Sequence, residues 1–421
     1  MTFSFHTLGC KLNFAESSDI CRQLCERGFN KAQAGEMADV VLLNTCSVTD
    51  VADHKGRQAI HRLHRLHPSA LFVVTGCYAQ LKPAEVALID GVDLVLGAAE
   101  KADAAQRIVD MLGHRSAIQE QRAPIFTSDI RSSAVFHPAR SFDDRTRCFL
   151  KVQDGCDYFC TYCTIPLARG ISRSATISDT VDEVKKAIDE GAKEIVITGV
   201  NTGDFGRRNG ENFMQLLQAI DSVDADVRYR ISSVEPNLLT DEIIDFVAMS
   251  RHFAPHFHIP LQSGSNAVLK IMHRRYTSEL FAQKVAKIRS VLPFAFIGVD
   301  VIVGVRGETD QYFEESRKFI EGLPVSQLHV FTYSERTGTA MLDMPTCVVP
   351  HAERKRRSEI LHEVSSKKLA DFYAANSGCN ATVLWEAKRD KGLMAGFTEN
   401  YVRVTRPYDK KRVNTFEQIT I

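Results

Sequence analysis

Gly155-Cys156-Asp157-Tyr158-Phe159-Cys160-Thr161-Tyr162-Cys163 carries three thiols within eight positions, in the order C-x3-C-x2-C. Three thiolates on so short a segment can ligate three irons of a four-iron cube and leave the fourth without a protein ligand. That open iron is the useful feature. The amino and carboxylate groups of S-adenosylmethionine can chelate it, and an electron from the cluster can then split the sulfonium to release a 5′-deoxyadenosyl radical. The competing reading is a zinc site or buried thiols. Zinc in structural sites takes four protein ligands, and no histidine or fourth cysteine stands at a suitable spacing.

A second trio is scattered along the chain. Cys10 closes Thr7-Leu8-Gly9-Cys10 and is followed by Lys11-Leu12-Asn13; Cys46 sits in Asn44-Thr45-Cys46-Ser47-Val48, and Cys77 in Gly76-Cys77-Tyr78-Ala79-Gln80. Each falls at or just past the end of a segment that reads as a parallel strand. Ligands of open α/β sheets bind at that carboxyl edge, so the three thiols are expected to converge as a second three-cysteine cluster with a vacant iron. Three unrelated core cysteines are the alternative, since free cysteine is among the most buried residue types. Of the remaining five, Cys21 and Cys25 lie four apart on a helix stripe and Cys148 lies in a strand, so all three are expected in the core; Cys347 and Cys379 fall in connections.

These residues need a scaffold, and hydrophobic periodicity supplies one. Alternating β-branched runs at 2–7, 40–44, 71–75 and 92–96 are separated by helical patterns, with Ser17, Ile20, Cys21, Leu24 and Cys25 on one stripe and Ala52, Gly56, Ala59, Ile60, Leu63 and Leu66 on another. This predicts an open parallel α/β sheet over residues 1–98. Residues 99–140, with Pro124, Pro138 and a Ser132-Ser133 pair, read as a connection. Strands at 148–152, 194–198, 228–232, 256–260, 296–303 and 328–333 then alternate with helices, which predicts a partial (βα)6 barrel of the TIM type over residues 141–372, working at its strand C-termini. Residues 373–421 read as a small all-β barrel. The fold class is therefore α/β with a terminal β module.

Lys+Arg and Asp+Glu both number 52 among the 421 residues, so no global field attracts nucleic acid and any such contact must be local. No apolar run approaches the roughly 18 residues of a membrane span, and the start Met-Thr-Phe-Ser-Phe-His lacks the regions of a signal peptide. The chain is expected to be cytoplasmic, with no membrane partner. In that reducing compartment its eleven cysteines are not presumed to form disulfides.

The cysteine motifs, together with Ser233-Val234-Glu235-Pro236, Ile259-Pro260-Leu261-Gln262-Ser263-Gly264 and Gly307-Glu308-Thr309, resemble the methylthiotransferase family of radical S-adenosylmethionine enzymes over essentially the whole chain. Within the family, Thr7-Leu8-Gly9-Cys10-Lys11-Leu12-Asn13, Val152-Gln153-Asp154-Gly155-Cys156 and Gly199-Val200-Asn201-Thr202-Gly203-Asp204 are most similar to the branch acting on threonylcarbamoyladenosine in tRNA, beside the anticodon. Val305-Arg306 departs from the family's usual Phe-Pro.

The resemblance implies two 4Fe–4S clusters, one on Cys156, Cys160 and Cys163 for radical generation and one on Cys10, Cys46 and Cys77 holding the sulfur. It implies S-adenosylmethionine as both methyl donor and radical source, an external electron donor and sulfur source, and clusters that face one another. The chemistry fits the target: the C–H bond at carbon 2 of adenine is neither acidic nor open to a neutral-pH nucleophile, but a carbon radical can take its hydrogen. Tyr162 resembles the family's aromatic neighbour of the S-adenosylmethionine adenine, while Gly199, Asn201, Ser233, Glu235 and Gln262 are expected to hold the methionine and ribose parts.

The terminal module resembles a TRAM domain. Its Lys388, Arg389, Lys391, Arg403, Arg406, Lys410, Lys411 and Arg412, beside Trp385, Phe397 and Tyr401, suit phosphate contact and stacking on a tRNA anticodon stem-loop. The Arg354 to Arg357 run is either a second grip on RNA or a solvated helix face. His256 and His258 share one side of a strand and read as barrel-interior histidines. Two other activities stay open within the family, on isopentenyladenosine in tRNA or on a ribosomal-protein aspartate. Outside it stands a non-catalytic RNA-binding protein whose cysteines hold structural metal.

Overall fold

The computed structural model describes residues 1–33, 35–113, 123–141 and 146–421. Parts of the expected connection and of its boundary, residues 114–122 and 142–145, lie outside the described residues. The chain forms two compact units, one of Met1–Asp144, Asp154–Asp157 and Cys163–Arg173, the other of Arg145–Gln153, Tyr158–Tyr162 and Ser174–Ile421.

In the first unit, β1 (Thr2–Thr7), β2 (Asn30–Lys31), β3 (Val40–Thr45), β4 (Leu71–Gly76), β5 (Leu94–Leu96) and β6 (Ile125–Phe126) make a parallel sheet in the order β2-β1-β3-β4-β5-β6. Its central strands are apolar on both faces, as a sheet covered on both sides requires. Val40 and Leu42 pack with Ile20 and Leu24 of α1 (Lys11–Glu26), and Val41 and Leu43 with Ile60 and Leu63 of α2 (Asp50–Leu66). Helix α2 starts where the Thr49 hydroxyl accepts the Ala52 N–H at 3.2 Å, with Asp50 and Asp53 favourably placed in its first turn. Short helices α3 (Cys77–Leu81) and α4 (Pro83–Ala87) follow β4.

Part of the stretch expected to be a bare connection belongs to this unit. Helix α5 (Ala104–Gly113) buries Ala104, Ala105 and Ile108 against the sheet, and β6 pairs Ile125 with Val95 and Phe126 with Leu96. A two-residue strand carries no readable alternation, which is why it escapes the sequence pattern. Two expected stripe residues are also solvent-facing. Cys25 and Leu66 lie in the last turns of α1 and α2, beyond the stretch that Leu24 and Leu63 press onto the sheet. The unit closes with α6 (Ile165–Arg169).

The second unit holds six parallel strands in chain order. Strands β7 (Arg147–Lys151), β8 (Glu194–Thr198) and β9 (Arg228–Ile231) pair side by side, as do β10 (His256–Gln262), β11 (Phe296–Val303) and β12 (Gln327–Thr332). Bridges from Tyr229 to Phe253 and from Ser233 to His258 link the two triplets. The intervening helices start on side-chain caps: Thr176 at α7 (Ile177–Asp189), an Asn212–Gln215 capping box at α8 (Phe213–Asp221), Thr240 at α9 (Asp241–Met249), Thr277 at α11 (Ser278–Val291), which follows the short α10 (Asn266–Ile271), and Thr309 at α12 (Asp310–Gly322). The threonine of Gly307-Glu308-Thr309 is thus a helix cap, and the Glu308 carboxylate accepts the Gly304 N–H at 2.6 Å.

Helix α13 (His351–Asn376) leads into an antiparallel sheet of β13 (Asn380–Asp390), β14 (Leu393–Phe397), β15 (Arg403–Pro407) and β16 (Phe416–Thr420), in the order β15-β14-β13-β16. The all-β part therefore begins at Asn380 rather than at 373. Buried arginines tie it to the amino ends of the parallel strands. Arg228 donates to the carbonyls of Thr382 (3.0 Å) and Phe397 (3.1 Å), Arg230 to that of Glu399 (3.0 Å), and both pair with the buried Glu194.

Candidate active site

Strands β1, β3 and β4 are neighbours in the first sheet, and one cysteine of the scattered trio stands past the end of each, Cys46 and Cys77 directly and Cys10 after Leu8 and Gly9. Cys10 is the residue before α1, Cys46 follows Thr45, and Cys77 opens α3. Two glycines let the segments approach. At Gly9, with φ +103°, a Cβ would lie 2.7 Å from the Cys46 Cβ and 3.2 Å from its Sγ; at Gly76, with φ +100°, it would lie 2.3 Å from the Thr45 carbonyl oxygen. The buried Asn13 amide nitrogen donates to the carbonyls of Leu8 (2.8 Å) and Thr45 (3.0 Å), pinning together the segments that lead to Cys10 and Cys46.

The thiols feel one another. Burial, and then the neighbouring Cys77, push the Cys46 thiol up to about 12, and burial pushes Cys77 up as well. Two buried thiols, Cys46 and Cys77, that resist becoming thiolates suit a polycation, because metal removes both the protons and the mutual repulsion.

In the other motif, Cys156 and Cys163 fold with the first unit and Cys160 with the second. The Cys156 N–H donates to the Gly170 carbonyl at 3.0 Å, and the adjacent Gly155, with φ +69°, leaves no room for a Cβ, which would sit 2.0 Å from the Ile171 carbonyl oxygen. The Ile165 N–H donates to the Cys163 sulfur at 3.4 Å. In the second unit, Arg274 donates to the Cys160 sulfur at 3.0 Å and to the Tyr162 hydroxyl at 3.5 Å, and it ion-pairs with Glu235.

Around Glu235 lie the expected strand-end residues. Gly199 abuts Gln153, where a Cβ would come within 2.9 Å of its Oε1, and the Asn201 N–H donates to that same oxygen at 2.9 Å. The Asn201 side-chain carbonyl accepts the Glu235 N–H at 3.3 Å. Ser233 bridges to His258 through its backbone, and Gln262 ends β10 with φ +66°.

Comparisons with known proteins place the chain as a whole. Residues 2–97 match the family described as Uncharacterized protein family UPF0004, and residues 150–320 match the Radical SAM superfamily. The chain is 39% identical over 413 residues to the threonylcarbamoyladenosine tRNA methylthiotransferase MtaB of Bacillus subtilis (strain 168), covering 96% of this chain and 90% of that one. The protein of the same description from Aquifex aeolicus (strain VF5) is 35% identical, covering 96% and 97%. The chain belongs to the MtaB-type methylthiotransferase family. At 30% identity it also matches a tRNA-2-methylthio-N(6)-dimethylallyladenosine synthase of Endomicrobium trichonymphae, over 95% of this chain and 92% of that one. Among solved structures, the radical S-adenosylmethionine methyltransferase TsrM of Kitasatospora setae shares the fold, with TM-score 0.57, 14% identity and coverage of 79% and 74%.

Membership of the radical SAM superfamily makes S-adenosylmethionine and a 4Fe–4S cluster cofactors of this methylthiotransferase. The second unit fits the former. The buried Asn201 Nδ2 and Gln262 Oε1 find no hydrogen-bond partner among the described residues, one donor and one acceptor left for a polar ligand. Among the described residues, no helix is long and apolar enough to cross a membrane.

The terminal sheet corrects part of the surface expected to meet RNA. Trp385 is 2% exposed and donates its indole N–H to Glu417 at 2.7 Å, so it cannot stack on a base. Phe397 and Tyr401 stack on each other at 4.8 Å, and Tyr401 lies against His256 and Phe296. Arg406 and Arg412 are both taken by Glu417, leaving Lys388, Arg389, Lys391, Arg403, Lys410 and Lys411 exposed. The Arg354 to Arg357 run splits likewise. Arg354 and Arg357 are buried, the first on the Val349 carbonyl and Glu335, the second on Glu308 and Asp310. Arg306 also binds Glu335 at 3.2 Å, while Val305 is buried beside Tyr333, which accounts locally for the departure at these positions.

Sequence reasoning missed three features. Arg169 is buried among Glu16, Asp154 and Asn13; Arg274 is buried beside Cys160; and His258, Asp300 and His329 meet on adjacent strands, with both rings on Asp300 Oδ1 at 2.7 and 3.1 Å. Arginines and an aspartate distant in sequence carry no periodic signal. Only the two-residue spacing of His256 and His258 hinted at a polar strand face.

Proposed function

We propose that this chain adds a methylthio group to carbon 2 of N6-threonylcarbamoyladenosine at tRNA position 37, using two 4Fe–4S clusters. The observation that carries the reading is the placement of Cys10, Cys46 and Cys77 after three neighbouring strands, in a chain that also holds C-x3-C-x2-C. Identities of 39% and 35% to relatives named for threonylcarbamoyladenosine, against 30% to one named for dimethylallyladenosine, support the substrate.

In this reading Cys156, Cys160 and Cys163 hold the radical-generating cluster in a partial barrel, and Cys10, Cys46 and Cys77 hold the sulfur-bearing one. When bound, S-adenosylmethionine supplies the methyl group and the 5′-deoxyadenosyl radical. The chain's own residues do the rest. Tyr162 flanks the adenine, Gly199 leaves room for the backbone to approach, and Asn201, Ser233, Glu235 and Gln262 hold the methionine and ribose groups. Arg274 fixes Glu235 and lends positive charge to Cys160. Lys388, Arg389, Lys391, Arg403, Lys410 and Lys411 on the TRAM-like module meet phosphates of the anticodon stem-loop. The electron donor and sulfur source are external, and the setting is the cytoplasm.

Nucleoside mass spectrometry of tRNA from cells with and without the gene tests the substrate. The 2-methylthio form of threonylcarbamoyladenosine should vanish without it; an unchanged amount overturns the assignment, and loss of the isopentenyl form instead transfers it. Anaerobic reconstitution tests the clusters, with about eight irons per chain expected. About four irons, lost together on Cys156→Ala, Cys160→Ala and Cys163→Ala, would eliminate the second cluster. Zinc without iron would favour a structural-metal RNA-binding protein.

A further inference from the structure

The first unit buries a guanidinium among the thiol-bearing segments. Arg169, 2% exposed, donates through Nη1 to Glu16 Oε1 (3.0 Å) and Asp154 Oδ1 (2.8 Å), and through Nη2 to Asn13 Oδ1 (2.6 Å) and Glu16 Oε2 (3.2 Å). Glu16 also takes the Lys101 ammonium, and the second oxygen of Asp154 takes Arg173 at 3.1 Å. Lys101, Arg169 and Arg173 thus gather on Glu16 and Asp154, and Arg169 is bonded to both carboxylates. All five side chains are less than a tenth exposed.

The Asn13 side chain that Arg169 holds by its oxygen is the one whose nitrogen pins the Leu8 and Thr45 carbonyls ahead of Cys10 and Cys46. Arginine cannot shed its proton at any working pH, so the charge is permanent.

We propose that Arg169 is a positioning residue that sets the reduction potential of an iron–sulfur cluster held by Cys10, Cys46 and Cys77. The inference rests on the assignment of that trio to a cluster. One-electron reduction adds a negative charge, and a fixed positive charge in a poorly solvated surrounding stabilises the reduced form and raises the midpoint potential. Removing the charge shifts the midpoint to more negative values. In Arg169→Gln the fold retains a partner for each carboxylate, because Lys101 stays with Glu16 and Arg173 with Asp154. Arg169→Lys keeps the charge and loses the two-pronged geometry.

The test uses the full chain carrying Cys156→Ala, Cys160→Ala and Cys163→Ala, so that any remaining iron belongs to the trio. After anaerobic loading with iron and sulfide, the reduced signal is followed by electron paramagnetic resonance during a dithionite titration with mediators. At the parent midpoint, Arg169→Gln should lower the ratio of reduced to oxidised cluster by about tenfold or more, and Arg169→Lys should stay near the parent. A Gln midpoint equal to the parent's, or Lys shifted as far as Gln, overturns the proposal. Where Arg169→Gln takes up no iron, Lys101→Gln removes a charge from the same group without touching Asn13. It should shift the midpoint in the same direction, and no shift there overturns the proposal too. A parent that binds no iron with Arg169 intact refutes the cluster assignment instead, a separate result.

Discussion

Gly76→Ala places one methyl group where the trio has least tolerance. Gly76 has φ +100° and ψ −164°, a region open essentially to glycine alone, where another residue costs about 1–3 kcal/mol. The new Cβ would also stand 2.3 Å from the Thr45 carbonyl oxygen, 2.5 Å from Asn44 Oδ1 and 2.6 Å from the Thr45 nitrogen, where ordinary contact begins near 3.4 Å. Two of these atoms are backbone of β3, so the chain must open by roughly 1 Å, an overpacking term of about 1–3 kcal/mol. Together the two terms come to about 2–6 kcal/mol, or a fall of roughly 4–24 °C in the melting of the affected unit. The displaced peptide carries Cys77 with it. Calorimetry should therefore show the lower transition, and the reconstituted enzyme should lose roughly half its iron, the share of one cluster of two. Gly322→Ala is the control: at the end of α12, with nothing within 4 Å of the new Cβ, it should leave both readings unchanged. A Gly76→Ala protein with parental melting and full iron would refute the reasoning.

Glu194→Gln strands Arg228 and Arg230 in the second unit and should destabilise it by about 3–5 kcal/mol at neutral pH, measured by urea unfolding. Burial alone raises a carboxyl, but Arg230 and Arg228 outweigh it and hold Glu194 well below the usual carboxylate range. A depressed folded value gives stability that is complete above the unfolded value and is lost as pH falls toward the folded one. The parent should therefore weaken from roughly pH 5 downward, with a shallower decline in the variant. Arg274→Met leaves Glu235 buried without its cation and Cys160 without its donor, so calorimetric binding of S-adenosylmethionine to the reconstituted enzyme should weaken at least tenfold; unchanged affinity would remove Arg274 from the site. Substituting Lys388, Lys391 and Lys411 together by Ala should reduce the slope of log affinity for tRNA against log salt by about one unit per lost contact, and an unchanged slope would take RNA off that face.

Much of the scaffold is legible because its signals are local. The runs at 2–7, 194–198 and 296–303 coincide with β1, β8 and β11: β8 and β11 are largely apolar and buried in parallel sheets, and β1 shows Phe3 and Phe5 alternating with polar residues. Cys10, Cys46 and Cys77 could be brought to one sheet edge by counting strands, because each cysteine lies within three residues of a strand's end. The same counting fails for β6, two residues long, and for Trp385, Phe397 and Tyr401. Aromatic residues beside arginines look alike whether they await a base or fill an interior, and here Glu417, His256 and Phe296 had already claimed them.

The unread part of the site is its charge. Arg169, Arg274 and Glu194 find their partners 15 to 153 residues away, as with Arg169 to Asp154 and to Glu16, and ion pairs at such separations leave no periodic trace. Yet these pairs follow a rule that burial imposes: a charge removed from water must be matched by another, or by a ligand. Glu194 meets its match in Arg228 and Arg230, and Glu235 in Arg274. Around Arg169, Lys101 and Arg173 share Glu16 and Asp154 with it, and Arg169 reaches the cysteine-bearing segments through Asn13. A guanidinium fixed among those segments would become more favourable if the sulfurs of Cys46 and Cys77 turned anionic on a metal, which is why Arg169 is the residue to test against the proposed cluster.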